Sequence, residues 1–217
     1  MKKVYFRGLL WAVVAVLCLL VLPGKAEAAP IASGQCGENV YWTLEENYTL
    51  ILSGEGPTYH YMIDTNIQEK PWKQWQRDIV SVIVEPGVTE LGMAIFCDHK
   101  SLTHIQLPPT LEAIGYDAFY GCDGLIDVYI SDPSAWCKIK FVNYYSNPMS
   151  YGKYLHILDE NGNEVTEVVL DDTVTTIPNY AFKNCIGLTD ITISNSVVSI
   201  GERVFWNCTG LKSVTIP

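Results

Sequence analysis

The sequence predicts an α/β, β-rich solenoid. Parallel strands joined by short helical turns are expected to stack with a 23-residue period behind an N-terminal β-hairpin cap. Three observations predict this. Phe96 and Phe119 lie 23 residues apart, and so do Phe182 and Phe205. Leu102 and Leu125, then Leu188 and Leu211, repeat at the same interval. Inside each unit two apolar residues sit two apart, as in Ile105-x-Leu107, Val128-x-Ile130, Ile191-x-Ile193 and Val214-x-Ile216. That is strand periodicity, with the named residues facing a core and the residue between them facing out.

The whole unit reads L-x-x-[IV]-x-[ILV], then a second apolar pair, then A-F-x-x-C. The second pair is Leu111 and Ile114, Val174 and Ile177, or Val197 and Ile200. Ala118-Phe119-x-x-Cys122 and Ala181-Phe182-x-x-Cys185 are read as short helical turns that carry Phe inward. A single coil buries too little apolar surface to offset the entropy of ordering its backbone, so the coils must fold as a stack with covered ends.

This unit, with I-G-x-x-A-F-x-x-C, resembles the BspA-like leucine-rich-repeat family of bacterial surface proteins, from Gln35 to Pro217. The usual Asn/Cys ladder position is Thr110, Pro133, Thr173 or Ser196 here, and the Cys comes later, after the Phe. The resemblance implies a leucine-rich-repeat solenoid that is secreted or surface-exposed. It also implies adhesion to a protein or cell-surface ligand, such as host matrix or other cells.

The chain opens with Lys2, Lys3 and Arg7, an apolar run from Leu9 to Leu22, and the small residues Ala26 and Ala28 around Glu27. Residues 1–28 read as a secretory signal peptide cut after Ala28. The run is shorter than the roughly 20 residues that cross a bilayer, and no second one follows. Removing this leader deletes four basic residues and one acidic residue, which moves the formal net charge from −10 to −13. So acidic a chain argues against nucleic acid and anionic membrane surfaces.

Residues 29–70 form the expected cap. Val40, Trp42 and Leu44 alternate, Glu45-Glu46-Asn47 turns, and Leu50 and Leu52 alternate again, which is a hairpin pattern. Thr58 to Gln68 reads as a loop, and Trp72 and Trp75 as cap core. Residues 71–133 hold the first block of repeats, beginning with the strand Ile79-Val82-Val84. Residues 134–164 read as an irregular island that interrupts the stack, with Asn161-Gly162 as a hairpin turn. Residues 165–217 resume the array and stop inside a repeat. That stop makes a second reading possible, the accessory repeat region of a larger exported enzyme such as a cell-wall or polysaccharide hydrolase.

Catalytic signatures are sparse. Cys122, Cys185 and Cys208 share one repeat position and read as packed thiols. No C-x-x-C spacing suggests zinc or redox work. Cys97 with His99, or Cys137 with His156, could be drawn as catalytic pairs, but neither sits in a nucleophile motif. Asp159-x-Asn161-x-Asn163 has half the letters of a calcium loop, with the glycine misplaced and the closing Glu missing. Asn47-Tyr48-Thr49 and Asn207-Cys208-Thr209 match the glycosylation acceptor, and in a bacterial protein, as the resemblance implies, these are chance matches. Gly92, Gly115 and Gly201 read as tight bends. The expectation is a non-enzymatic module without cofactor or metal.

What remains is surface. Outward strand positions should stack across coils: His104 and Gln106, Asp127 and Tyr129, Asp190 and Thr192, Ser213 and Thr215. Solenoids bind partners on such extended faces. The island tyrosines, Tyr144 and Tyr145 first among them, form a second candidate patch, since Tyr combines a large rigid ring with a polar tip.

Overall fold

The structure, a computed structural model, describes residues 29–61 and 69–216. The expected leader, part of the Thr58–Gln68 loop and Pro217 lie outside the described residues.

The cap comes first. β1 (Ala32–Gln35), β2 (Val40–Leu44) and β3 (Thr49–Gly54) form an antiparallel meander, with Val40 opposite Gly54 and Leu44 opposite Leu50. β4 (Gly56–Pro57) follows, and a 3-10 turn at Lys73–Trp75 leads into the repeats. Trp72 is buried, edge-on to Trp42 at 5.8 Å and to Tyr61 at 5.9 Å, so the tryptophans are cap core.

The repeats supply β5 (Ser81–Val84), β6 (Val88–Leu91), β7 (His104–Gln106), β8 (Ala113–Ile114) and β9 (Asp127–Ile130). The helix α1 (Pro133–Lys138), capped by the Asp132 side chain, then leads to β10 (Lys140–Phe141) and β11 (Tyr154–Ile157). The second block holds β12 (Glu167–Val169), β13 (Thr176–Ile177), β14 (Asp190–Thr192), β15 (Ser199–Ile200) and β16 (Ser213–Thr215). A seven-stranded sheet runs β1-β2-β3-β5-β7-β9-β11, and β10-β8-β6-β4 forms a second wall. From β3 onward its pairings are parallel, and β5, β7 and β9 pair in the 23-residue register, Ser81 beside His104 and His104 beside Asp127.

Three expectations need correction. First, the A-F-x-x-C segment is not helical. Ala94, Asp117, Tyr180 and Arg203 at one repeat position, and Asp98, Gly121, Asn184 and Asn207 four residues on, all have φ between 52° and 74°. Two left-handed residues bend the backbone twice and still turn Phe inward. The second position is filled by Asp, Gly or Asn, the types that tolerate this region best.

Second, Gly92 and Gly115 have no positive φ. A Cβ on Gly92 would lie 2.0 Å from the Tyr59 carbonyl oxygen, and one on Gly115 would lie 2.6 Å from the Met93 nitrogen. Glycine is needed there because the backbone of the preceding coil passes too close for any side chain.

Third, the island does not leave the stack. β11 pairs parallel with β9, Tyr154 beside Asp127, and β10 pairs with β8. The island is a coil of 27 residues instead of 23, lengthened by α1 and two 3-10 turns at Tyr144–Ser146 and Pro148–Ser150. The break falls later. β12 pairs only with β14, so β12-β14-β16 is a separate three-stranded sheet. The intervening turn folds back on β11, with Leu158 bridging Glu164 and Val165 N–H donating to the Ile157 carbonyl at 2.7 Å.

One apolar core nonetheless runs from Cys36 to Val204. Trp72, Phe96 and Phe119 stack through it, with centroids 6.4 and 5.5 Å apart, and Phe182 lies flat on Phe205 at 5.9 Å. In the last coil Val214 and Ile216, inward by pattern, are 39% and 65% exposed.

Candidate functional site

The strand rows form as expected within each sheet. β7 and β9 put His104 beside Asp127 and Gln106 beside Tyr129, and β11 extends both rows to Tyr154 and His156. Alternation is the cause: Ile105, Val128 and Leu155 go into the core, so their neighbours must face out. Asp190, Thr192, Ser213 and Thr215 line up likewise on β14 and β16, but in the second sheet. The expected single row is therefore two rows with a seam between β11 and β12.

The first row holds the richest chemistry. The Asp127 carboxylate bridges two imidazoles, Oδ2 at 3.1 Å from His104 Nε2 and Oδ1 at 2.9 Å from His156 Nε2. His156 Nδ1 lies 2.5 Å from Glu164 Oε1. The Tyr129 ring is sandwiched between the imidazoles, 4.7 Å from His156 and 6.5 Å from His104, nearly parallel to both. Burial first, then the Asp127 and Glu164 charges, raise the Tyr129 phenol, so it stays neutral. Thr103 Oγ1 is 2.6 Å from His104 Nδ1 but donates its proton to the Val80 carbonyl at 2.9 Å, so it is no activated nucleophile.

Glu164 is absent from the sequence-based candidates, and His156 enters them only as a drawn partner for Cys137, not as a member of the outward row. The signal for His156 was the Leu155-x-Ile157 alternation, which makes it an outward strand position. Nothing local pointed to Glu164, because its role comes from a turn that folds back.

The other candidates lie apart. Tyr144 and Tyr145 sit on the turn edge of the stack, edge-on to one another at 5.1 Å. Tyr145 meets Tyr120 at 5.1 Å, and Tyr144 meets Tyr180 at 5.7 Å. Neither Cys–His pair is assembled. His99 reaches the Cys97 carbonyl rather than its thiol, and Cys137 lies buried in α1 with its thiol pushed by burial to about 12. Asp159 Oδ1 accepts from Asn161 N–H at 2.8 Å and Asn163 N–H at 2.9 Å, which is turn chemistry. Among the described residues no group of three or more His, Cys, Asp or Glu is arranged to hold a metal ion, and all six cysteines are free. No described helix is long and apolar enough to cross a membrane.

A model of the BspA-type leucine-rich repeat region matches the chain in six copies, across residues 65–149 and 160–217. The chain belongs to the BspA-type leucine-rich repeat family. The family's repeat units thus cover both blocks and most of the island. Among solved structures it is similar to a leucine-rich repeat protein from Eubacterium ventriosum, at 20% identity over 85% of this chain and 72% of that one, with a TM-score of 0.38. A leucine-rich repeat protein from Bacteroides ovatus is 24% identical over 63% of this chain and 37% of its own, with a TM-score of 0.33. The pneumococcal vaccine antigen PcpA is 12% identical over 88% and 71%, with a TM-score of 0.35. No curated protein matches the chain.

Proposed function

We propose that this BspA-type repeat protein is a non-enzymatic binding module, exported or displayed at the cell surface, that adheres to a protein or cell-surface ligand. Residues 1–28 act as the export leader and residues 29–70 as the cap of the array. The observation that carries the reading is the outward row His104, Gln106, Asp127 and Tyr129. Its members are held in register by parallel pairing and serve no core-packing role. A rigid row of mixed polar and aromatic groups costs little ordering entropy on binding. His156 and Tyr154 extend it, Asp190, Thr192, Ser213 and Thr215 form a second row, and Tyr144 and Tyr145 a second patch.

The exported chain should bind at least one member of a panel of matrix proteins, cell surfaces and glycans. Tyr129→Ala and Gln106→Ala together should weaken that binding by roughly tenfold or more, as for central anchors of an interface. Retention by no member of the panel would sink the reading. The intact mass of the exported protein tests the leader directly, with Ala29 expected as its first residue.

A further inference from the structure

The seam between the two sheets is closed by the turn at residues 158–164, whose end is tied to β11 by the Leu158–Glu164 backbone bridge and the Val165–Ile157 hydrogen bond and, through the Glu164 carboxylate, by side chains as well. Glu164 Oε1 meets His156 Nδ1 at 2.5 Å. Its other oxygen faces the second block, where a Cβ added to Gly187 would come within 3.7 Å of it. His156 Nε2 meets Asp127 Oδ1 at 2.9 Å, and Asp127 Oδ2 meets His104 Nε2 at 3.1 Å. His104 Nδ1 faces Thr103 Oγ1, whose hydrogen is already given to Val80. All four imidazole nitrogens therefore face oxygen acceptors. A neutral imidazole carries one N–H and can satisfy one of its two contacts, whereas an imidazolium satisfies both.

We propose that His104, Asp127, His156 and Glu164 form a proton-operated latch. When both imidazoles are protonated, they clamp Glu164, its turn and the adjoining second block against the first sheet. When His156 loses a proton, one of its two carboxylate contacts becomes lone pair against lone pair, Glu164 is released and the seam loosens.

The groups around the latch fit this. Asp127 and Glu164 are the carboxylates that face the imidazoles, and the Tyr129 ring lies between them. Tyr154 lies beside His156 at 6.5 Å. Cys185, across the seam from Glu164, is kept neutral by burial, with its thiol pushed up to about 12. Among the described residues no Lys or Arg pairs with either carboxylate. Histidines change charge between about pH 5 and pH 8, and carboxylates stay ionised above about pH 5. The latch is thus closed while both imidazoles carry two N–H groups and open once His156 carries one. It is a property of the chain itself, whether or not a ligand binds the rows.

Hydrogen exchange of the full chain at about pH 5.8 and about pH 7.8, normalised to unfolded peptides, tests it. Protection of residues 158–169 should fall roughly five- to tenfold at the higher pH, while β3 and β5 stay unchanged. Glu164→Gln, at the end of the turn, should keep the fold and lose most of that difference. An imidazole NMR titration of the unmutated chain needs no variant, and His104 and His156 should lose their protons over the same pH range in which protection falls. Equal protection at both pH values, or an unchanged difference in Glu164→Gln, would overturn the latch.

Discussion

His99 occupies the repeat position that Cys122, Cys185 and Cys208 fill in other coils. Cys122 Sγ donates to the Phe96 carbonyl at 3.1 Å and Cys208 Sγ to the Phe182 carbonyl at 2.9 Å, each tying its coil to the one before. The first coil has the cap before it, and there Trp72 Nε1 donates to His99 Nε2 at 3.1 Å. Burial, with Lys70 adding to it, lowers the His99 imidazole to about 3, so the fold holds it neutral. In the unfolded chain a histidine binds a proton near pH 6.5. Stability should therefore be unaffected by this group above about pH 6.5 and fall as pH drops toward about 3, by at most about 1.4 kcal/mol per pH unit. Urea unfolding at pH 7 and pH 4.5 should show the loss in the native chain and a shallower one in His99→Gln. The thiols make a second residue-scale prediction. Burial raises Cys36 to about 12 and Cys97 to about 11, while Cys208 is only half-buried. A thiol reagent should modify Cys208 first and the others only as the protein unfolds.

At the scale of the element, the cap works by imitating a coil. Between regular coils, turn amides donate forward: Ala94 to Tyr116 at 3.0 Å, Phe96 to Ala118 at 2.9 Å, Asp98 to Tyr120 at 2.7 Å. The first coil has no such coil before it. Its Met93 carbonyl accepts from Tyr61 N–H at 2.9 Å, and its Cys97 carbonyl from Lys70 Nζ at 2.7 Å and Gln76 Nε2 at 3.2 Å. Lys70→Met keeps the aliphatic stem and removes the donor, so it should cost about 1.5–3 kcal/mol, read by urea unfolding. Phe96→Ala, which removes the middle of the aromatic stack, should cost about 3–5 kcal/mol by the same measurement.

For the whole molecule the question is whether a broken sheet still folds as one unit. The core is continuous, and the lengthened coil ties the blocks together. Trp136 Nε1 donates to the Ala181 carbonyl at 2.7 Å, Ser134 Oγ accepts from Asp171 N–H at 3.0 Å, and Lys183 Nζ donates to the Met149 carbonyl at 3.0 Å. Nearest-neighbour coupling of this kind makes a repeat array cooperative. The native chain should unfold in a single transition followed by circular dichroism. Trp136→Ala should uncouple the blocks and split the transition in two, the second block melting first.

The period, the inward residues and the family were legible along the chain, because burial depends on alternation and spacing that are written locally. Ile105, Val128 and Ile191 needed only their neighbours to be placed, and from them followed the outward row of His104, Asp127 and Tyr129. The left-handed turns and the true reason for Gly92 were not legible, since both depend on how one coil's backbone meets the next. Nor was the seam: the same letters that suggested an interruption build a longer coil, and the sheet breaks one strand later. That Asp127 lies between two imidazoles, and that Glu164 closes the set, emerged from the folded chain alone. Those contacts join residues 8 to 29 positions apart through a fold-back turn, and no local pattern fixes where such a turn lands.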